Sequence, residues 1–232
     1  DGITGKKLIW IQKEKVKDFW IKGDTAAEYI GRVIEYIAVK EVSDIMDYND
    51  VNKYVEKVIE SNSFLVDNII PDFITASDLK YLLTCLVREK VSVKNIVYIF
   101  EKINDYANEP TKEDLLDKVR LALSRHIVKD LAKDGELKVI EFSDEILDRV
   151  YSFFKEDEEE AIIRIDSCEV QDIASRLMKI AKAKKITSPV IAVPMDIRHM
   201  VFVILSEFVQ DLTVLAHEEL VSDYNIKFIG KI

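Results

Sequence analysis

The residue types able to do chemistry are few, and their spacing does not suit it. The three histidines, His126, His199 and His217, fall in no zinc-ligand spacing, and Cys85 and Cys168 cannot complete a closed metal site with them. Asp196 and His199 lie three apart on one helix face and read as an exposed or capping pair rather than as ligands. No Gly-x-Ser-x-Gly elbow occurs, and neither cysteine stands near a histidine in a nucleophile signature. Gly2-Ile3-Thr4-Gly5-Lys6 has the outline of a phosphate loop, but that loop needs four residues between its glycines and a hydroxyl after its lysine. It therefore reads as a turn. The run Glu156-Asp157-Glu158-Glu159-Glu160 reads as a solvated loop, because calcium would need spaced oxygen ligands around a turn glycine. These patterns imply no catalytic residue, no metal and no cofactor.

The charge balance excludes a further class. Thirty-three Lys+Arg stand against 43 Asp+Glu, a formal charge of −10, with no basic stripe to neutralise phosphates. The segments Thr75–Glu89 and Ser92–Ala107 have the outline of a helix-turn-helix. On the second segment, however, Lys94, Asn95 and Lys102 are offset by Glu101 and Asp105, so the pair reads as a structural hairpin. An acidic helix-turn-helix regulator is the alternative function from a different class. The composition is 48% hydrophobic and 33% charged, enough for a sizeable core and a soluble surface. Only 6 Gly and 4 Pro argue against an all-β fold. Both cysteines sit in apolar helical patterns and read as buried thiols of a reducing compartment. No apolar run reaches the roughly 18 residues of a membrane span, and no signal peptide is present. The chain opens at Asp1 without a methionine and reads as part of something longer.

Periodicity gives the elements that must position whatever site exists. Leu8–Ile11 reads as a short strand in need of a partner. Ile30, Val33, Ile34 and Ile37 mark a helix between Glu28 and Met46; Asn49 or Asp50 caps the next, striped by Val51, Tyr54, Val55, Val58 and Ile59, and Pro71 breaks the apolar stretch that follows. Thr75-x-x-Asp78 opens a third helix with its face at Leu79, Leu82, Leu83 and Leu86. Ser92 caps a fourth, and Pro110-Thr111-x-x-Asp114 opens a fifth. After Gly135 the period changes: strands at Leu137–Phe142, Val190–Val193, Thr213–Leu215 and Ile226–Ile229 alternate with helices at Ile146–Phe154, Val170–Ala181 and Ile197–Phe208. This predicts a helix-rich α+β chain of several subdomains: a helical one, then a small α/β one with parallel pairing, preceded by the remnant of an upstream α/β region.

Read in order, these segments resemble the type III secretion export gate family, which includes the flagellar FlhA proteins and the InvA-like proteins of virulence systems. The resemblance is carried by Leu79–Ile96, Phe100–Ala107 and Val119–Ile127 in the middle, and by Val190–Val193, Asp196-Ile197-Arg198, Asp211–Leu215, Glu218-Glu219-Leu220 and Ile229–Ile232 at the end. Asp1–Trp10 is similar to the family's turn and strand. Lys90 stands where relatives carry a glycine, and the 155–165 region has no counterpart. The resemblance leans to the virulence-system branch.

The resemblance implies remnants of the second and first cytoplasmic subdomains over 1–44, a helical third subdomain over 45–132 and an α/β fourth over 133–232. It implies a homo-oligomeric, nonameric ring on the cytoplasmic face of the bacterial inner membrane, held to the membrane only through a part preceding Asp1. The implied partners are export chaperone–substrate complexes, gatekeeper proteins and other export components, with no nucleic acid. The implied docking residues are Asp1, Thr4, Gly5 and Glu35, with Thr4 in place of an aromatic and Glu35 in place of a small hydroxyl residue.

Overall fold

The structure is a computed structural model that describes residues 3, 7–12, 15–16, 23–67, 69–70, 73–153 and 167–232. The Gly2–Lys6 turn, Pro71 and the acidic run Glu156–Glu160 lie wholly or largely outside the described residues. Among the described residues the first half holds helices α1 (Ala26–Lys40), α2 (Val42–Ile45), α3 (Tyr48–Asn62), α4 (Phe64–Asp67), α5 (Ala76–Arg88), α6 (Ile96–Asp105) and α7 (Lys112–Leu131). The second half alternates β1 (Glu136–Glu141), α8 (Asp144–Ser152), α9 (Ser167–Ala183), β2 (Val190–Val193), α10 (Met195–Ser206), β3 (Thr213–Ala216), a 3-10 turn (His217–Glu219) and β4 (Asn225–Lys231).

Side-chain caps decide where most helices begin. Thr25 and Glu28, Asp47 and Asp50, and Thr75 and Asp78 form reciprocal boxes, each satisfying two orphan amides. Thr111 and Ser143 cap α7 and α8 by accepting from the Asp114 and Ile146 amides, and Thr111 also donates to the Asp114 carboxylate. Two caps differ from the sequence expectation. α3 is capped by Asp47, because its carboxylate reaches the Asp50 amide at 2.9 Å, while Asn49 and Asp50 lie inside the helix. α6 starts at Ile96 after Asn95, and Ser92 instead accepts from the Lys94 amide in the preceding turn.

α5 and α9 both end in a Schellman motif. The Val91 amide reaches Leu86 O and the Lys90 amide reaches Val87 O; Ile186 and Lys185 repeat the pattern on Ala181 and Lys182. The left-handed position falls on Lys90 (φ 59°) and Lys185 (φ 56°). Lys90, the departure from the family's glycine, thus occupies a backbone conformation that glycine adopts at no steric cost. Lys185→Gly is expected to raise stability by roughly 1 kcal/mol, read as a higher urea midpoint at unchanged slope. An unchanged midpoint would contradict strain at that position.

The four strands form one all-parallel sheet in the order β3-β2-β1-β4. β2 is buried along its whole length, which explains its unbroken apolar run Val190–Val193. Alternate strand residues feed two cores. Leu137, Val139, Val190, Ala192 and Leu215 pack with the helical half, including Leu83, Phe100, Leu116 and Val128. Ile140, Ile191, Val193 and Val214 pack with α8, α9 and α10 through Ile146, Ile173, Leu177, Val201 and Leu205. The sheet is therefore covered on both faces, the helices of the first half on one side and α8, α9 and α10 on the other. The fold class read from the sequence is borne out. Gly230 in β4 lets α9 approach, since a Cβ there would meet Ile180 Cγ2 at 2.9 Å.

Three sequence expectations are corrected. Leu8–Ile11 forms no strand: residues 7–12 are irregular and exposed, with no ladder partner among the described residues. The Glu28–Met46 helix breaks at Glu41 into α1 and α2. Cys85 is buried as expected, whereas Cys168 is exposed at the start of α9.

Candidate functional site

Two places concentrate polar or apolar groups that the fold alone does not require. The first is the outer face of α1. Tyr29, Val33, Tyr36 and Val39 are half-buried toward the body of the protein. On the opposite side Ala27, Ile30, Gly31, Ile34, Ile37 and Ala38 stand exposed, and no residue of α1 is buried. The expected core stripe of Ile30, Val33, Ile34 and Ile37 is thus corrected: only Val33 turns inward, because nothing in the described chain packs on the rest. Trp10 is 65% exposed and meets the ring of Tyr29, on the other side of α1, edge-on at 5.6 Å. A helix face this wide and apolar marks an interaction surface. Glu35 stands exposed on this helix, next to Ile34. Asp1, Thr4 and Gly5 lie outside the described residues, so the structure does not bring them together with Glu35.

The second place is a buried cluster of charge that joins the helical half to the sheet half. Glu89, just past α5, forms an ion pair with Arg120 Nη1 of α7 at 2.8 Å and accepts a hydrogen bond from Arg198 Nη1 of α10. Arg120 also meets Glu219 of the 3-10 turn, Nε to Oε1 at 3.0 Å and Nη2 to Oε2 at 3.2 Å, and donates to Val214 O of β3 at 3.3 Å. Arg198 Nε and Nη2 reach Asp117 Oδ1 of α7 at 2.8 and 2.7 Å. Glu219 in turn accepts from the Ala216 amide at 2.8 Å. Several of these contacts are close in distance but off the donor axis, among them Arg120 Nε to Glu219. Their attraction is therefore mainly Coulombic.

The side chains of Arg120, Arg198, Glu89 and Glu219 are nearly or wholly removed from solvent, so their charges act on one another with little screening. Burial pushes the Glu89 carboxyl up, but Arg120, Arg198 and His199 outweigh it and hold the group at about 2. At Asp117 burial wins over the pull of Arg198, and the carboxyl is raised. Burial works against the Arg198 charge, yet Glu89, Asp117 and Glu219 raise its affinity for the proton.

His199 flanks this cluster. Its Nδ1 lies 3.0 Å from Glu89 Oε1 and its Nε2 lies 3.3 Å from the Tyr81 hydroxyl, which donates to Glu113 Oε1 at 3.1 Å. The reading of Asp196 and His199 as a pair is corrected: Asp196 instead accepts from Tyr151 Oη at 3.0–3.1 Å. The cluster escaped the sequence reading, although a signal was present. Arg120 and Arg198 fall on the apolar faces of their helices, beside Leu116, Val119 and Leu123 in one case and Ile197 and Val201 in the other. A charge at such a position is rarely buried without a partner.

Neither place is arranged for catalysis. Burial raises the Cys85 thiol to about 11, which leaves it a poor nucleophile. Among the described residues no group of three or more His, Cys, Asp or Glu is placed to hold a metal ion, and no helix is long and apolar enough to cross a membrane. A groove of about 240 Å³ beside Glu89, edged by Lys94, Tyr98, His126 and Lys129, is smaller than sites that enclose drug-sized ligands.

Relatives are found along most of the chain. The flagellar biosynthesis protein FlhA of Bacillus subtilis is 26% identical over 237 residues, 95% of this chain and 34% of the relative. Protein MxiA of Shigella flexneri is 25% identical over 210 residues, 88% of this chain and 29% of the relative. The chain thus spans about a third of the length of these curated relatives. The solved structure of Shigella flexneri MxiA matches with a TM-score of 0.80 at 22% identity, covering 96% of this chain and 70% of that one. The cryo-EM structure of nonameric EPEC SctV-C matches at 0.77 and 19% identity, covering 95% and 68%. At such identities the solved structures speak for the fold. They give the helix-turn-helix alternative no support, and the export-gate resemblance drawn from the residues is borne out. The FHIPEP family model matches residues 1–225, nearly the whole chain, and the chain belongs to that family.

Proposed function

We propose that this chain is a cytoplasmic part of a type III secretion export gate, which docks export chaperone–substrate complexes and gatekeeper proteins as one subunit of a homo-oligomeric ring. The role is binding and gating, without chemistry of its own. The observation that carries the reading is the exposed apolar face of α1 in a chain of this family. In this reading the ring lies at the cytoplasmic face of the bacterial inner membrane. In this reading Asp1, Thr4, Gly5 and Glu35 are the docking residues, and Ile34, exposed beside Glu35 on α1, is an apolar anchor. Residues 45–132 and 133–232 act as helical and α/β modules, and 1–44 as the trailing ends of two preceding ones. Supporting the assembly, two solved relatives are described as nonameric, EPEC SctV-C and the EscV cytosolic domain. A further solved relative, Chlamydia pneumoniae CdsV, is described in complex with CdsO.

A ring-forming preparation of the protein, immobilised, is expected to retain export chaperones carrying their substrates from the same organism. Ile34→Asp is expected to release them without lowering the thermal midpoint, since the side chain is exposed. A ring that retains no chaperone would overturn the reading.

A further inference from the structure

β4 pairs with β1 along one side, and no strand lies beyond it among the described residues. The Asn225 amide bonds to Gly135 O, toward β1, so by the alternation of a strand the N–H and C=O groups of Ile226 and Phe228 point outward. These groups have no backbone partner among the described residues.

The two faces of this open edge differ in chemistry. Leu137, Val139 and Ile226 turn to the helical half, and Phe228, in register with Val139, stands on that face 51% exposed. Lys138 and Lys227 are in register on the opposite face, both exposed, and share Glu136 at 3.7 and 3.2 Å. α9 packs on that face and ends where the strands begin, because residues 184–189 lead from it into β2. Ile180 of α9 lies against Gly230, so the exposed Lys184 and Lys185 beyond it come to the same end of the sheet as Lys227. Neither pairs with a carboxylate among the described residues. Four lysines thus gather against Glu136 and the loop residue Asp134, in a chain whose formal charge is −10.

A lysine on an open edge is an ordinary guard against self-pairing, since a second copy of β4 laid alongside would bring like charges together. That accounts for Lys227. It does not account for Lys138, Lys184 and Lys185, which lie off the edge, nor for a lysine kept at φ 56° in position 185. Such an edge repels its own copy and attracts an acidic strand.

We propose that β4 takes an extended segment of a partner protein as a fifth strand, a segment whose residues alternate between acidic and apolar. Main-chain hydrogen bonds to Ile226 and Phe228 hold it, its carboxylates face Lys227, Lys184 and Lys185, and its apolar side chains lie along Phe228. This edge belongs to the sheet half and owes nothing to α1, so it and the α1 docking role can each fail without the other.

The probe is a capped peptide of alternating glutamate and valine, as long as the 7 residues of β4, with a lysine–valine peptide as its counterpart, each added to the whole protein. Saturable binding of the glutamate–valine peptide is expected, at least about tenfold tighter than that of the lysine–valine peptide. Hydrogen exchange at the Ile226 and Phe228 amides is expected to slow on binding. Lys227→Glu is expected to weaken binding at least about tenfold. Phe228→Pro deletes an outward amide and spares the ladder to β1, so it is expected to abolish binding while the β1–β4 amides stay protected. Lys185→Gly adds a readout that a structural role would not give: affinity for the peptide falls while stability rises.

No saturable binding, equal affinity for the two peptides, or binding without slowed exchange at Ile226 and Phe228 would overturn the inference. So would an affinity unmoved by both Lys227→Glu and Lys185→Gly. Retention of duplex DNA or phosphatidylserine vesicles in preference to the peptide, lost in Lys227→Glu, would assign the lysines to another class of partner and overturn it as well.

Discussion

Arg120→Met is expected to cost roughly 3–5 kcal/mol of folding stability, the largest loss of any single replacement considered for this protein. The guanidinium joins Glu89 beyond α5, Glu219 of the 3-10 turn and the Val214 carbonyl of β3, at a site only 1% exposed. Methionine fills much of the same space, so the loss would not come from a cavity. It would come from two buried carboxylates stripped of their common cation, one of which would keep Arg198 while the other would keep only the Ala216 amide. The control is Arg149→Met, which breaks a partly exposed pair with Asp172 and is expected to cost less than about 1 kcal/mol. Urea unfolding of both variants checks the pair. Equal losses would mean that the cluster carries no special weight.

Glu89→Gln removes the hub carboxylate while keeping its shape, and is expected to cost roughly 3 kcal/mol at neutral pH. Arg120 would retain Glu219 and Arg198 would retain Asp117, but two buried cations would then share fewer negative charges. The pH dependence identifies the cause. Glu89 is held at about 2, below its ordinary value of 4.5, so its contribution is present above the ordinary value and lost as pH falls toward 2. The stability gap between wild type and Glu89→Gln should therefore close across that acid window. A gap unchanged between pH 5 and the lowest pH at which both proteins fold would assign the loss to packing instead.

Much of the architecture was legible because its signals are local. Thr75-x-x-Asp78 and Thr111-x-x-Asp114 set helix starts through contacts three residues apart. The run Val190–Val193 announced a strand covered on both faces. What failed was long-range. Leu8–Ile11 has strand composition, but a strand exists only with a neighbour, and none is present among the described residues. Ile30, Ile34 and Ile37 have the spacing of a core face, yet periodicity reports an apolar side and not what covers it.

The candidate site was legible only in part. Glu35 falls on the exposed helix beside the apolar stripe, while Asp1, Thr4 and Gly5 lie outside the described residues. The charged cluster joins residues about a hundred positions apart, as Glu89 to Arg198 and Arg120 to Glu219, and no local pattern records such pairs. The family's glycine at this position has a local account, because residue 90 closes the Schellman motif at φ 59°, whereas the ammonium of Lys90 pairs with Asp211, 121 positions on.

The functional reading meets its most direct test in a calorimetric titration of a purified chaperone–substrate complex into the ring-forming protein. Saturable binding is expected, weakened at least roughly tenfold by Ile34→Asp, a loss of about 1.4 kcal/mol, with the thermal midpoint unchanged. Equal affinity for wild type and variant, or no binding to either, would contradict it.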